Sequence, residues 1–413
     1  MRSNFVEHQL PNGLRVVCEV MPRVRSAAVA FLARTGACHE TPPEHGVSHF
    51  LEHMCFKGTA RRDWHDINVR FDELGSIYNA FTGKEHTLYY GWVPADRLEP
   101  QIELLADLMR PSLPAPDFET ERNVILEEIA MNDDSFDRRV WNFVHQVAFG
   151  QHPLAHEILG EKETIQGLKH DALVDYHRRR YCAGNVHLIA AGALDPEAVF
   201  AAAGRYCGDW ERGGNGAAAP RPDVPALPGG VHKLQLDRFT QQSLMLVYPS
   251  IPHGHADEES VEAFTSLFGG GNSRCFWNIV QKGICSQAGG VWIGYRDCGV
   301  LVLFADGEPA RCEEMLDALR GQMREVCASG FREDEVQRVK NHRRTRLSLE
   351  GESPRTRVMQ LVDDLDTREY ARTAEARLAA VEAVSVKSIA KYLERFPIDG
   401  DGMLLSCGPR DWP

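Results

Sequence analysis

Apolar positions in the first half of the chain recur with two different periods. Residues 8–36 alternate or run on in aliphatic and β-branched side chains, which predicts strands. Asn12-Gly13 within HQLPNGLRVVCEVM marks a hairpin turn, and the continuous run SAAVAFLART reads as a buried strand. Over 46–57 the spacing changes to that of a helix. A second helix is predicted over 63–75, with Asp63 as N-cap and Gly75 as stop. YNAFTGKEHTLYYGWV (78–93) clusters aromatics and threonines around Gly83-Lys84 and predicts a hairpin. Helices are expected over 95–111, 115–133 and 135–149, and a strand near 186–192.

The stretch ERGGNGAAAPRPDVPALPGG (211–230) has no such period and reads as a linker. Beyond it a similar order returns. Strands are predicted over 234–249, a helix over 257–268, a strand over 298–307, helices over 311–329, 333–349 and 355–396, and a last strand over 403–408. The expected fold is α+β: two similar halves, each a mostly antiparallel sheet packed with helices. The division runs as an N-terminal domain 1–210, a linker 211–230 and a C-terminal domain 231–413. A chain of 413 residues is too long for one core. A net charge of −13 with no offsetting basic stripe argues against nucleic acid as a partner. No run approaches the roughly 20 apolar residues of a membrane span. Eleven cysteines without a CxxC point to reduced thiols and a cytoplasmic setting, with the periplasm open if a leader was removed.

Chemistry concentrates in EHGVSHFLEHMCFKGT. Advancing about 100° per residue puts Val47, Phe50, Leu51 and Met54 on one helix face and His49, Glu52 and His53 on the other. Histidines one turn apart can reach one ion. Zinc accepts neutral imidazoles, and a catalytic site needs a third protein ligand and an open position. The glutamate between the histidines can take a proton from water. In ETERNVILEEIAMNDD (119–134), Val124, Ile125 and Ile129 define an inward arc. Glu121 and Glu128 fall within or beside it, and Glu127 falls at its edge. A buried acid is costly unless paired or bound to a metal. Glu128 is therefore the better third ligand, and Glu121 a partner that orients a ligand histidine. The competing reading is a solvated helix face, with both glutamates at a wet helix end beside Arg or Lys.

HFLEH followed by FKGT, then YNAFTGKEHTLYY, ERNVILEEI and HPLAHEILG (152–160), resembles the pitrilysin/insulinase family of zinc peptidases, in which HxxEH replaces HExxH. The likeness extends to short bacterial members and mitochondrial processing peptidase subunits, and more loosely to SLFGGGNSRCFWNIV (266–280). It implies that His49, His53 and Glu128 bind Zn2+. It makes Glu52 the general base that activates water, with Glu121 as the supporting acid. It also implies that a peptide substrate adds as a β-strand along Asn79, Ala80 and Phe81, inside a clamshell of two halves. One departure stands out. The family grips substrate with an Arg and, seven residues later, a Tyr. Here Val280 occupies the Arg position, the segment is one residue short, and Ser286 or Gln287 lies near the Tyr position. The second half also lacks HxxEH. The resemblance therefore implies the catalytic subunit of a heterodimer whose partner supplies the Arg and Tyr, or otherwise a homodimer. The alternatives are a self-sufficient chain gripping through Tyr295 or Arg296, and a non-catalytic scaffold or peptide-binding subunit. Gly269–Gly271 lacks the lysine of a phosphate loop and reads as a tight turn.

Overall fold

The computed structural model describes residues 4–213 and 223–413. In chain order the strands are β1 Asn4–Gln9, β2 Arg15–Val20, β3 Ser26–Ala33, β4 Ile77–Thr82, β5 Thr87–Pro94, β6 Val186–Gly192, β7 Gly230–Gln235, β8 Gln242–Ser250, β9 Gln287–Gly294, β10 Gly299–Gly307 and β11 Met403–Gly408. The helices are α1 Val47–Cys55, α2 Trp64–Leu74, α3 Leu98–Leu108, α4 Ala115–Asp133, α5 Phe136–Phe149, α6 Lys162–Gly167, α7 His170–Arg180, α8 Pro196–Cys207, α9 Glu258–Gly269, α10 Cys312–Ser329, α11 Glu333–Glu350, α12 Pro354–Thr367, α13 Ala374–Ala383 and α14 Val386–Arg395. Asp63 caps α2 by accepting from the Asp66 N–H, and Gly75 closes it. The helix expected over 355–396 is three helices. β9 has no counterpart in the sequence reading, because Gly289 and Gly290 dilute its pattern. The end of α9 closes in on this strand: a Cβ on Gly269 would sit 2.3 Å from Gly289 Cα, and one on Gly289 would sit 3.0 Å from Gly269 O.

Two units separate by their internal packing. The first holds the described residues up to Asp134, 156–213 and Leu349–Ala374, and the second holds Ser135–Ala155, Asp223–Ser348 and Glu375–Pro413. This partition crosses the division at 211–230: α5 lies in the second unit and α12 in the first. Of the expected linker, 214–222 lie outside the described residues, and 223–229 form no regular element.

In the first unit the strand order is β1-β2-β6-β3-β5-β4, antiparallel except for the parallel pair β2–β6. One face of this sheet packs Val29, Phe31 and Tyr89 with Val47, Phe50, Leu51 and Met54 of α1. The other packs Val17, Ala28, Ala30 and Leu32 against Val358, Leu361, Val362 and Leu365 of α12. Burial on both faces explains why β3 is apolar throughout rather than alternating. Each such fully buried Leu, Val or Phe contributes roughly 1.5–3 kcal/mol. Polar ties fix the placement of α12. Arg357, 2% exposed, bonds Glu19 of β2 at 2.8 Å, and the His86 Nδ1–H donates to Asp366 at 2.8 Å.

The second unit has strand order β7-β11-β8-β10-β9, with β7–β11 the parallel pair. Its core joins Leu244, Leu246, Leu301 and Leu303 of the sheet to Phe264, Leu267, Leu319, Ile389 and Tyr392 of α9, α10 and α14. No helix among the described residues is long and apolar enough to cross a membrane.

Two outcomes are expected. Arg357→Met, which keeps the apolar stem and strips the charge from beside buried Glu19, lowers stability by roughly 3–5 kcal/mol in urea unfolding. Burial alone would depress His86, but the hydrogen bond and charge of Asp366 outweigh it and raise it above its ordinary 6.5. A raised histidine contributes stability that is complete below its unfolded value and is lost as pH rises through the folded one. The stability gap between wild type and Asp366→Asn is therefore largest near about pH 6 and shrinks toward alkaline pH.

Candidate metal centre

The start of α1 is held from upstream. Its N-cap, Gly46, has no side chain to cap with, and Glu40 takes that place. Glu40 Oε2 accepts the Gly46 N–H at 2.7 Å and Oε1 accepts the Ser48 N–H at 2.8 Å. The Tyr176 hydroxyl bridges Ser48 Oγ and Thr35 Oγ1, at 2.7 and 2.8 Å. With Val47, Phe50, Leu51 and Met54 fully buried, the rotation of α1 is fixed. His49, Glu52 and His53 are thereby turned toward α4. Phe118 of α4 stacks on Phe50 at 4.5 Å between centroids. The inward arc of α4 is Phe118, Glu121 and Ile125. Val124, expected on that arc, is 43% exposed, because it lies about 90° from the arc's centre.

His49 Nε2 lies 3.7 Å from Glu128 Oε2, and His53 Nε2 lies 3.8 Å from the same oxygen. One donor atom from each of the three residues lies within 4.8 Å of the other two. Tetrahedral ligands about 2.0–2.2 Å from zinc stand roughly 3.3–3.6 Å apart, so this donor set fits such an ion after a small contraction. Glu121, 3% exposed, accepts from His53 Nδ1 at 2.7 Å and pairs with the Lys57 ammonium at 2.5 Å. A carboxylate can only accept, so the proton sits on His53 Nδ1 and Nε2 is left as the ligand atom.

Burial pushes His49 down to about 3, with the neighbouring His53 adding to the effect, which keeps this imidazole neutral. Burial also works against charge on His53, but the Glu121 hydrogen bond and the surrounding carboxylates outweigh it and raise its pKa. The reciprocal is seen on Glu121, where burial is overcome by His53 and Lys57 and the carboxyl is held below its usual range. Burial raises Glu52, against a hydrogen bond from Thr82 Oγ1 to its Oε2 at 2.5 Å.

β4 packs beside α1 and is the outermost strand of its sheet. Ile77, Asn79 and Phe81 are exposed, while Ala80 is buried. The Ala80 N–H donates to Asn79 Oδ1 at 2.9 Å. Among the described residues nothing pairs with the outer edge of β4, so its backbone can accept another strand there.

In the second unit, Val280 packs against the core, and the Ser286 hydroxyl donates to the Asp306 carbonyl at 2.8 Å. Tyr295 is buried, hydrogen-bonded to His145 and edge-on to Phe149. Its phenol is engaged in the packing of this unit. Sequence reasoning missed Glu40, Lys57 and Thr82. Lys57 and Thr82 lie inside motifs already singled out, FKGT and YNAFTGKEH. Glu40 stands six residues before the N-cap, a spacing no local capping rule covers.

Residues 15–162 match the family model described as Insulinase (Peptidase family M16), and 167–342 match the one described as Peptidase M16 inactive domain. A protein from Rickettsia felis named as an uncharacterized zinc protease is 30% identical over 356 residues, covering 85% of each chain. The chain belongs to the M16, or insulinase, family. A Mycobacterium leprae relative, also named a zinc protease, is 31% identical over 92% of this chain and 86% of its own length. A Helicobacter pylori protease structure shares this M16 fold with a TM-score of 0.88 at 20% identity, over 98% of this chain and all (100%) of that one. A Pseudomonas fluorescens structure described as a peptidase M16 inactive domain reaches 0.88 at 18% identity, over 98% of both chains.

Single substitutions His49→Ala, His53→Ala and Glu128→Ala are each expected to abolish stoichiometric zinc uptake. Glu121→Gln should keep zinc and weaken it about 10–100-fold. Chelator competition on folded protein, with circular dichroism as control, reads both effects.

Proposed function

We propose that this chain is a zinc-dependent endopeptidase acting on peptides or unfolded segments held as an added β-strand. The observation that carries the reading is the convergence of His49, His53 and Glu128 beside a half-buried Glu52, with His53 oriented by Glu121. Zinc, when bound, supplies Lewis acidity at this point. Everything else is done by side chains and backbone of the chain. The substrate main chain pairs along Asn79–Phe81, which lays one peptide bond beside Glu52. Glu52 Oε1 takes a proton from water as its oxygen bonds to the peptide carbon. The C–N bond then breaks, and the same carboxyl delivers that proton to the leaving amine. A carboxyl whose pKa is raised by burial is suited to both steps.

The reading extends to a heterodimer in which this chain is the catalytic subunit. Its support is the second unit, where Val280, Ser286 and Tyr295 are all taken up by packing or backbone contacts, leaving no Arg and Tyr pair in the expected places. Eleven cysteines, none in a disulfide, suit a reducing, cytoplasmic setting.

Cleavage of a quenched peptide library by the zinc-loaded chain alone, with Glu52→Gln as control, tests the reading. Glu52-dependent cleavage by the single chain would establish the peptidase and remove the need for a partner. An inactive, folded, zinc-loaded chain that gains activity with a second family subunit would establish the heterodimer. Activity unchanged in Glu52→Gln would overturn the assignment of the base.

A further inference from the structure

We propose that Thr82 is a positioning residue for Glu52, so that the strand that receives substrate and the carboxylate that takes the proton are held as one body. This rests on the peptidase reading above. The motivating contact is the Thr82 hydroxyl donating to Glu52 Oε2 at 2.5 Å, within the range of a hydroxyl bonded to a carboxylate.

Glu52 has several side-chain torsions and sits half-buried on the polar face of α1. Packing fixes the backbone of that helix but not the direction of this carboxylate. One short bond at Oε2 sets the direction and leaves Oε1 for the proton. The donor is itself restrained. Thr82 ends β4 opposite Thr87 of β5, and the Thr87 hydroxyl donates to the Thr35 carbonyl at 2.9 Å. The turn that follows is clamped from one side. Gly83 O accepts the Ala37 N–H at 3.1 Å, and Lys84 O accepts the Cys38 N–H at 2.8 Å. The Lys84 ammonium donates to the His156 carbonyl. The clamp closes so tightly that a Cβ on Gly36 would stand 2.4 Å from Gly83 O.

Strand periodicity supplies the second half of the argument. Ala80 and Thr82 point to the face that packs on α1, while Asn79 and Phe81 point away. A peptide paired to the outer edge of β4 is therefore in fixed register with Thr82, two residues along from Ala80. Through one hydrogen bond it is also in fixed register with Glu52. Misplacing a reacting group by about 1 Å can cost about 100-fold in rate.

The test compares wild type, Thr82→Val, Thr82→Ser and Glu52→Gln, each zinc-loaded, together with any partner subunit that activity requires. Thr82→Val keeps shape and removes the donor, whereas Thr82→Ser keeps the donor. Expected for Thr82→Val is full zinc content, KM within about twofold and kcat lowered about 30–100-fold. Thr82→Ser should return kcat to within about threefold of wild type. Crystal structures of the zinc-free proteins give a readout independent of activity. The Glu52 carboxylate should be ordered in wild type and Thr82→Ser, and displaced in Thr82→Val. Unchanged kcat or an unmoved carboxylate in Thr82→Val would overturn the proposal, as would a parallel loss of zinc and thermal stability. Absence of cleavage by wild type under every condition would sink the peptidase reading instead, and the crystal structures would still decide how Glu52 is oriented.

Discussion

A carboxylate removed from water must be given donors, and around α1 that requirement is met three times. Glu40 takes two backbone N–H groups at the start of the helix. Glu121 takes His53 near its end and the Lys57 ammonium just beyond it. Glu52, in the middle, takes the Thr82 hydroxyl from β4. Together these bonds tie one short helix to the segment before it, to α4 and to the edge strand. A nine-residue helix has little stability of its own, so it depends on such contacts and on its buried face.

The apolar and polar contacts do different work. Burial of Val47, Phe50, Leu51 and Met54 supplies most of the favourable free energy and chooses which face of α1 turns inward. It cannot choose where a histidine nitrogen points to within a fraction of an ångström. That precision comes from the hydrogen bond to His53 Nδ1, since a ring held at one nitrogen presents the other in a defined direction. Remote packing reaches the site by the same logic. α12 covers the far face of the sheet, and Asp366 within it binds His86 just before β5, four residues beyond Thr82 in chain order.

The α1 site was legible because a 3.6-residue period and a four-residue histidine spacing are local facts. The opposition of Val47, Phe50, Leu51 and Met54 to His49, Glu52 and His53 could be read from nine consecutive letters. The inward lean of Glu121 was legible for the same reason, although Val124 itself lies about a quarter turn off the arc. What was not legible is non-local. Nothing near Glu40 says that it caps a helix six residues later through tertiary folding. Nothing in 355–396 says that its first helix covers the sheet of the first unit, hundreds of positions from β2 in sequence. β9 was hidden for a different reason. Its glycines answer to close backbone contact with α9 rather than to alternation, so the strand carries little of the usual strand pattern.

The two units make the relation of fold to chemistry explicit. Each builds a mostly antiparallel sheet with one parallel pair and packs helices on it, so the apolar patterns of both halves solve the same problem. Among the described residues, the histidine and carboxylate groups close enough to share a metal ion lie in the first unit. In the second unit the buried Tyr295 is hydrogen-bonded to His145, and the exposed Ser286 hydroxyl donates to the Asp306 carbonyl. A buried polar group already satisfied in this way holds its neighbours in place but has no capacity left for a ligand. The site in the first unit differs because Glu128, 39% exposed at its side chain, faces the Nε2 atoms of His49 and His53 at 3.7 and 3.8 Å, beyond hydrogen-bond distance. That unfinished arrangement, produced by the same rules of burial that finish the rest, is what a metal ion can complete.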